Sequence, residues 1–262
     1  MPEPEVRIGT AGWTIPASAA EAFPGEGSGL ERYSARFDCA EINSSFHRSH
    51  RPDTWRRWAA SVPDGFLFSA KLSREITHEK RLADCAAPLA AALAEMEGLG
   101  ERLAILLVQL PPSLAFDRQV AEAFLTALRC LWDRDVAFEP RHPSWFEPEA
   151  EALLADRRIA RVAADPAKVP AAAEPGGWGG LVYYRLHGSP IVYRSSYDDG
   201  RLEAYAARLA AATVPTWCIF DNTASSAATG DALKLQTLFA SLPRSGGEGD
   251  HPKGGGGVEG SA

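Results

Sequence analysis

The stretch DVAFEPRHPSWF, residues 135–146, joins a short apolar strand to a group of polar and aromatic side chains. Its first part, residues 136–138, has the apolar character of a buried strand. The residues that follow bring a carboxylate, a guanidinium, an imidazole and an indole to the end of that strand: Glu139, Arg141, His142 and Trp145. Such groups are costly to bury without partners, so the stretch predicts a functional site where the strand ends.

Strand-like segments and helical patterns alternate along the rest of the chain. Besides the strand within residues 135–146, strands are predicted at residues 6–13, 39–46, 66–72, 102–110, 159–165, 181–187 and 216–222. Helices are predicted at residues 30–37, 52–60, 82–99, 117–132, 148–157, 202–212 and 225–242. Eight strands that alternate with helices predict an α/β fold with a TIM-type (β/α)8 barrel, and the length of 262 residues suits it.

The barrel is predicted to form a single domain over residues 1–243. An open doubly wound sheet is the main alternative, but it would gather its polar residues at one switch point, whereas here they follow almost every strand. Residues 244–262 are rich in glycine and polar side chains and lack the apolar content of a packed segment. They are therefore predicted to form a disordered tail.

Composition and charge narrow the class of protein. The net charge of −7 disfavours a protein that coats nucleic acid through bulk charge. No apolar run reaches the ~18 residues of a membrane span, and no targeting signal is recognised, so a soluble cytoplasmic protein without membrane contact is expected. The cysteines are widely spaced and lie in apolar or helical contexts, which predicts free, buried thiols: Cys39, Cys85, Cys130 and Cys218.

The candidate site residues lie at the ends of the predicted strands, where this class of barrel carries its function. Three are predicted to be catalytic, with Glu139 as the base and His187 or His78 as the acid. The predicted substrate-binding residues are Arg141, Arg185, Lys71, Glu41, Asn43, His142, Trp145, Gln109, Asp165, Tyr197 and Asn222.

The cations among these residues predict an anion site. Arg141, Arg185 and Lys71 together could hold a phosphate, carboxylate or sulfate group. Alternatively, the cations pair with acidic neighbours in the barrel: Glu41, Glu139 and Asp165. Asn222 could orient a substrate hydroxyl or cap the last helix, and Trp145 and Tyr197 could stack on a ligand or wall the mouth of the barrel.

Three functional hypotheses follow. The leading one is an enzyme, a hydrolase or lyase, that acts on a small phosphorylated or other anionic substrate. The second is a metal-dependent phosphoesterase or nuclease-like barrel. The sequence has no HExxH spacing, which is a common zinc-binding motif. No cofactor is predicted for the protein, and a bound divalent metal is the alternative to that prediction. The third is a non-catalytic protein that binds an anion or nucleic acid, although a nucleic-acid partner is not favoured. The sequence does not predict an oligomeric state.

Seven segments, in this order, resemble the YecE-like family, domain of unknown function 72. They are GTAGW, EINSSFHR, FSAKLSREITH, LVQLPPSLAFD, FEPRHPSWF, YYRLHG and FDNTASSAATGDALKLQ. The resemblance covers residues 8–239 and implies a TIM-type barrel. It also implies that the motif residues of this family are Glu41, Asn43, Lys71, Thr77, His78, Gln109, Glu139, Arg141, His142, Trp145, Asp165, Arg185, His187 and Asn222. The closing strand departs from the family pattern, because Asp221 stands where a second asparagine is usual.

Overall fold

Ten strands form one barrel-like sheet in the computed structural model, which describes residues 4–242. The strands are β1 (Val6–Ala11), β2 (Cys39–Ile42), β3 (Leu67–Lys71), β4 (Leu103–Gln109), β5 (Asp135–Glu139), β6 (Ala160–Arg161), β7 (Ala163–Asp165), β8 (Gly176–Gly177), β9 (Val182–Leu186) and β10 (Thr216–Phe220). The predicted disordered tail, residues 244–262, lies outside the described residues.

Helices connect most of the strands. The α-helices are α1 (Gly29–Ser34), α2 (Ser44–His47), α3 (Pro52–Ala60), α4 (Ala86–Met96), α5 (Arg118–Leu131), α6 (Pro148–Asp156), α7 (Asp199–Ala210) and α8 (Ala227–Ser241). Four 3₁₀ segments (Ala17–Ala22, Glu97–Arg102, Pro143–Phe146 and Pro170–Ala173) and one π-helical turn (Glu75–Glu79) complete the connections.

The sheet is nearly closed. Its strand order is β7-β9-β10-β1-β2-β3-β4-β5-β6-β8, and every neighbouring pair is parallel except β6 with β8. Only Val162 separates β6 from β7, and its N–H donates to the carbonyl of Phe138 at 2.9 Å. One chain segment therefore pairs with β5 through β6 and with β9 through β7, and brings the two ends of the sheet together.

The mixed α/β, barrel-like architecture confirms the broad prediction, while the strand count differs. The strand predicted at residues 159–165 is divided into β6 and β7, and β8 lies in a stretch predicted to be a connection. Arg161 explains the extra strand, because its Nη1 donates to the carbonyls of Ala171 and Glu174 at 3.0 and 3.2 Å. These bonds hold the connection against the edge of β6.

The strand predicted at residues 39–46 was too long. It ends at Ile42, and α2 begins at Ser44. Ser45 is not part of the strand face, because its hydroxyl donates to the carbonyls of Ile42 and Lys71 at 3.0 and 2.7 Å. Side-chain bonds to the backbone thus replace the sheet ladder at this point, as serine favours.

Apolar side chains pack in two separate layers. The larger one lies between the sheet and the helices and includes Tyr33, Trp55 and Phe138. The smaller one fills the barrel interior, where Tyr183 and Trp217 stack with their ring centroids 6.1 Å apart. The amino-terminal half of the interior is therefore a packed core, and the polar residues of the interior lie above it.

The four cysteines are free, as predicted, but only three of them are buried: Cys39, Cys85 and Cys218. Cys130 lies on α5 and is exposed, which the prediction of buried thiols missed. Within residues 4–242, none of the helices has the length and apolar character needed to cross a membrane.

Gly9 provides a test of the close contact between β1 and β2. A Cβ atom at this position would lie 2.4 Å from the carbonyl oxygen of Cys39, a backbone atom that cannot rotate away. We expect Gly9→Ala to lower the free energy of unfolding by about 1–3 kcal/mol, as measured by urea denaturation, because overpacking forces the backbone to shift.

Gly230→Ala is the matched control for that substitution. Gly230 lies inside α8, and a Cβ atom there would meet nothing within 4 Å. Because alanine is a better helix former than glycine, this variant should gain about 0.5–1 kcal/mol. Equal effects of the two substitutions would contradict the close contact of the two strands.

Candidate functional site

Arg185 is the centre of a cluster of charged side chains at the carboxyl end of the barrel interior. Its side chain is fully buried and lies on β9. Its Nε and Nη2 donate to both oxygens of Glu41 at 2.9 and 2.6 Å. Its Nη1 donates to Glu139 at 2.5 Å, and Nη2 also donates to Asp221 at 2.9 Å. One guanidinium thus holds three carboxylates from three different strand ends.

Tyr183 joins this cluster to the packed core below it. Its hydroxyl donates to Glu41 at 2.9 Å and bonds Ser69 at 2.7 Å. Tyr183 and Arg185 lie two residues apart on β9, so both point into the barrel. Because Ser69 lies opposite Glu41 in the pairing of β2 with β3, the hydroxyl chain fixes the carboxylate from below.

His187 bridges two of the carboxylates. Its Nδ1 lies 3.1 Å from Asp221 Oδ2, and its Nε2 lies 3.0 Å from Glu139 Oε1. The imidazole is buried, and a histidine whose two nitrogens both face carboxylates can donate through both only when it is protonated. Asn43 also reaches this cluster, since its Nδ2 donates to Asp221 at 3.2 Å.

Arg141 covers the outer side of the cluster. Its Nε and Nη2 donate to Glu139 Oε1 at 3.1 and 3.0 Å, and Nη2 also lies 3.3 Å from the Tyr193 hydroxyl. Its side chain is 16% exposed, so solvent reaches this guanidinium. Gln109 lies opposite Glu139 in the pairing of β4 with β5, and its Nε2 is 3.4 Å from the carbonyl of Leu110.

Electrostatic coupling sets the protonation of the cluster. Burial alone raises the pKa of Glu139, but Arg185 and Arg141 outweigh it and hold that pKa well below its usual range. The pKa of Asp221 is lowered in the same way, by Arg185 and His187 against the effect of burial. For His187 burial lowers the pKa, but Glu139 and the hydrogen bonds to Asp221 and Glu139 raise it above its ordinary value. Glu139 and Asp221 are therefore ionised, and protonation of the imidazole is favoured.

Lys71 and His78 lie on the β3 side of the mouth. Lys71 is 8% exposed, and its Nζ lies 4.1 Å from the centroid of the Phe46 ring. The His78 ring packs edge-on against the same Phe46 ring at 4.9 Å, and its Nδ1 bonds the Thr77 hydroxyl at 2.9 Å. Burial and the charge of Lys71 lower the pKa of His78, so this histidine is neutral at pH 7.

A cavity of about 210 Å³ opens beside the cluster. Glu139, Arg141 and His187 line one side of it, and Lys168 and Tyr193 line the loops above. Lys168 is exposed. The lining thus combines two cationic side chains with a buried imidazole, a set of groups that can bind an anion and exchange a proton with it.

Of the predicted site residues, Glu139, Arg141 and His187 line this cavity, and the others do not. Two of the others also lie away from the charged cluster. Trp145 is buried in the outer core, where its Nε1 donates to the carbonyl of Leu114 at 3.0 Å and its ring packs on Phe138. His142 caps the 3₁₀ turn that follows β5, and its Nδ1 lies 2.9 Å from the Ser144 hydroxyl. Both contacts are structural, and neither side chain touches the charged cluster.

Three further predicted residues organise the loops outside the barrel interior. Asp165 lies 3.3 Å from the Tyr205 hydroxyl on α7. The Tyr197 hydroxyl donates to the carbonyl of Asp165 at 3.1 Å. Asn222 donates to Asp231 at 2.7 Å, on α8 rather than toward the cluster. These side chains hold the walls of the mouth.

Sequence reasoning missed two groups that contribute to the site, Tyr183 and Lys168. Tyr183 shares the inward face of β9 with Arg185 and His187, so the two-residue period of the strand contained the signal. Lys168 comes from an irregular connection, and the sequence pattern around it carries no comparable signal.

Within residues 4–242, no three histidine, cysteine or acidic side chains are arranged so that they could hold a metal ion. The three carboxylates closest to such a role, Glu41, Glu139 and Asp221, bind Arg185 instead.

The bridging imidazole gives a testable dependence of stability on pH. Because the folded pKa of His187 lies above the ordinary value of 6.5, its stabilising effect is complete below pH 6.5 and is lost as pH rises through the folded pKa. Urea denaturation between about pH 6 and pH 8 should therefore show a free energy of unfolding that falls as pH rises. His187→Gln should remove this decline.

His142→Gln is the control, since it removes an imidazole that bonds only Ser144 in the described structure. It should leave the pH dependence unchanged. A decline of the same size in His187→Gln as in the wild-type protein would show that another group causes it.

Comparisons with known proteins place the chain in a family. The model of the family "Protein of unknown function DUF72" matches residues 7–253. The UPF0759 protein YecE of Escherichia coli K12 is 30% identical over 132 residues, a match that covers 50% of this chain and 47% of YecE. The chain thus spans about half the length of the curated relatives that it matches.

Solved structures of this family have the same fold. A DUF72 family protein from Enterococcus faecalis V583 superposes with a TM-score of 0.75 at 19% identity, covering 91% of this chain and 97% of that chain. A DUF72 family protein from Thermotoga maritima gives a TM-score of 0.72 at 23% identity, covering 90% and 99%. The chain belongs to the DUF72 family.

Proposed function

We propose that this protein is an enzyme that binds a small anionic substrate, such as a phosphate ester, at the carboxyl end of its barrel and transfers a proton to it or from it. The observation that carries the proposal is the cavity of about 210 Å³, which brings Arg141, Lys168 and His187 to one surface. Its size suits a small molecule rather than a polymer.

Arg141 is the proposed anion-binding residue. It is partly exposed, and only Glu139 and Tyr193 contact its guanidinium through hydrogen bonds within residues 4–242. Arg185 is fully buried and already binds three carboxylates, so an anion could reach it only by displacing one of them. We therefore assign Arg185 to holding the site together and Arg141, with Lys168, to the ligand.

His187 is the proposed proton donor. It lines the cavity, and the carboxylates on both of its nitrogens favour its protonated form. Glu139 was expected to be the base, but a carboxylate whose pKa lies well below its usual range accepts a proton weakly. The proposed role of Glu139 is to keep His187 charged and oriented. His78, which is neutral, is the alternative to Glu139 as the proton acceptor.

The proposal extends to the type of barrel and to the location of the protein in the cell. We regard β6, Val162 and β7 as the sixth strand of a TIM-type (β/α)8 barrel, since the hydrogen bond from Val162 to Phe138 continues the ladder of β6 with β5 toward β7. We also propose a cytoplasmic location, which the free thiols of the four cysteines support.

Phosphate binding tests the anion site. Inorganic phosphate at ten times its dissociation constant should stabilise the protein by about 1.4 kcal/mol, seen as a rise in Tm in thermal unfolding. Arg141→Gln should abolish this rise. Arg118→Gln, which removes an exposed guanidinium on α5, should retain it.

Turnover separates an enzyme from a binding protein. p-Nitrophenyl phosphate and a panel of small phosphate esters and phosphorylated aldehydes serve as substrates, with products measured by chromatography. His187→Gln should retain the phosphate-dependent rise in Tm and lose turnover, because it removes the proton donor but not the cations. A rise in Tm without turnover of any compound would favour the binding protein, and no rise at all would refute the anion site.

A further inference from the structure

We infer that Lys71 is a nucleophilic amine that forms an imine with an aldehyde or ketone group of the substrate. Lys71 ends β3, and Ser69, two residues earlier, bonds Tyr183 inside the barrel. The two-residue period of a strand therefore directs Lys71 to the same interior, one layer nearer the mouth. This inference rests on the proposed function and names the substrate as an anionic carbonyl compound that extends from the cavity to Lys71, which lies outside the lining but faces the lining residue Glu139.

The amine of Lys71 lacks the partner that a buried cation usually has. Within residues 4–242, Nζ makes no hydrogen bond and no ion pair. Its contact with the Phe46 ring is weaker than a bond to a carboxylate. By contrast, the neighbouring Arg185 is bonded to three carboxylates. A lysine that served only to neutralise these acids would be expected to touch one of them.

Lys71 also differs from an ordinary surface lysine in its protonation. Burial, together with the positive charge of Arg185, lowers its pKa to about 8. The acidic groups that face it oppose this effect only in part; they are Glu41, Glu139 and Asp221. About half of the amine is therefore uncharged near pH 8, and the uncharged amine is the form that attacks a carbonyl carbon.

A second polar atom of the mouth also lacks a partner. Asn43 donates through its amide nitrogen to Asp221, but its Oδ1 is buried and has no hydrogen-bond partner among the described residues. A buried acceptor without a donor is rare and suggests that a ligand group or water completes it. A substrate hydroxyl beside the reacting carbonyl is the kind of donor that would do so.

The reaction is a condensation that releases one water molecule. The lone pair of uncharged Lys71 Nζ forms a bond to the carbonyl carbon, and the oxygen takes up a proton to give a carbinolamine. Uptake of one further proton from solvent and loss of that oxygen as water then leave a protonated imine. The neutral imidazole of His78, held by the Thr77 hydroxyl, is the nearby group that can accept the proton released from Nζ. Hydrolysis of the imine reverses these steps and restores the amine.

Reductive trapping tests this inference. The protein is incubated near pH 8 with glyceraldehyde 3-phosphate and cyanoborohydride, which delivers hydride to the imine carbon and makes the link permanent. Peptide mass mapping then locates the adduct among the five lysines: Lys71, Lys80, Lys168, Lys234 and Lys253. We expect Lys71 to react about tenfold faster than the exposed Lys168 and Lys234, because more of its amine is uncharged.

Two variants control for folding and for general labelling. Lys71→Arg keeps the positive charge but cannot form an imine, so the fast adduct should disappear while far-ultraviolet circular dichroism stays the same. Lys234→Arg, on α8, should leave the labelling of Lys71 unchanged. Because the adduct is mapped in the wild-type protein, the imine at Lys71 can be tested even if a variant fails to fold.

Glycerol 3-phosphate, which has an alcohol in place of the aldehyde, separates this inference from the proposed function. A rise in Tm with glycerol 3-phosphate but no preferred adduct at Lys71 would overturn the imine and leave the anion site standing. An adduct at Lys71 with a rise in labelling rate around pH 8 would support both. Slow, equal labelling of all lysines together with no rise in Tm would refute both.

Discussion

The site depends on one fully buried guanidinium. Arg185 binds Glu41, Glu139 and Asp221, and two of these carboxylates then hold His187 between them. Without the cation, three buried acidic side chains would lose their hydration with no charged partner in its place, which is strongly unfavourable. The charge of the imidazole, and with it any acid chemistry at the mouth, therefore follows from the position of a residue that itself does not touch the cavity.

Much of this architecture could be read from the sequence, since buried parallel strands are apolar runs and functional side chains follow them. Glu139 and His187, which line the cavity, were placed at strand ends in this way. The ion pairs of Arg185 could not be assigned from the sequence. Its partners Glu41, Glu139 and Asp221 lie 144, 46 and 36 residues away along the chain, and sequence spacing does not show which distant residues meet. The division of the sixth strand also escaped prediction, because it depends on the bonds of Arg161 to a distant connection.

The cations at the mouth fall into three physical states. Arg185 is buried and bonded to three carboxylates, Arg141 is partly exposed and shares one carboxylate, and Lys71 is buried with no ionic partner among residues 4–242. From the sequence alone, Arg185, Arg141 and Lys71 are all predicted to be positive charges that can hold an anion. Their surroundings separate them into a residue that builds the site, one that can meet a ligand and one whose amine can lose its proton.

The packed core beneath the cluster restricts how molecules move through this barrel. Tyr183 and Trp217 are buried and stack in the amino-terminal half of the interior, so among residues 4–242 this layer is filled by side chains. Whatever enters beside Arg141 must leave by the same opening. For the proposed enzyme, a product that keeps its anionic group would occupy the same position as the next substrate molecule, so competitive product inhibition is expected.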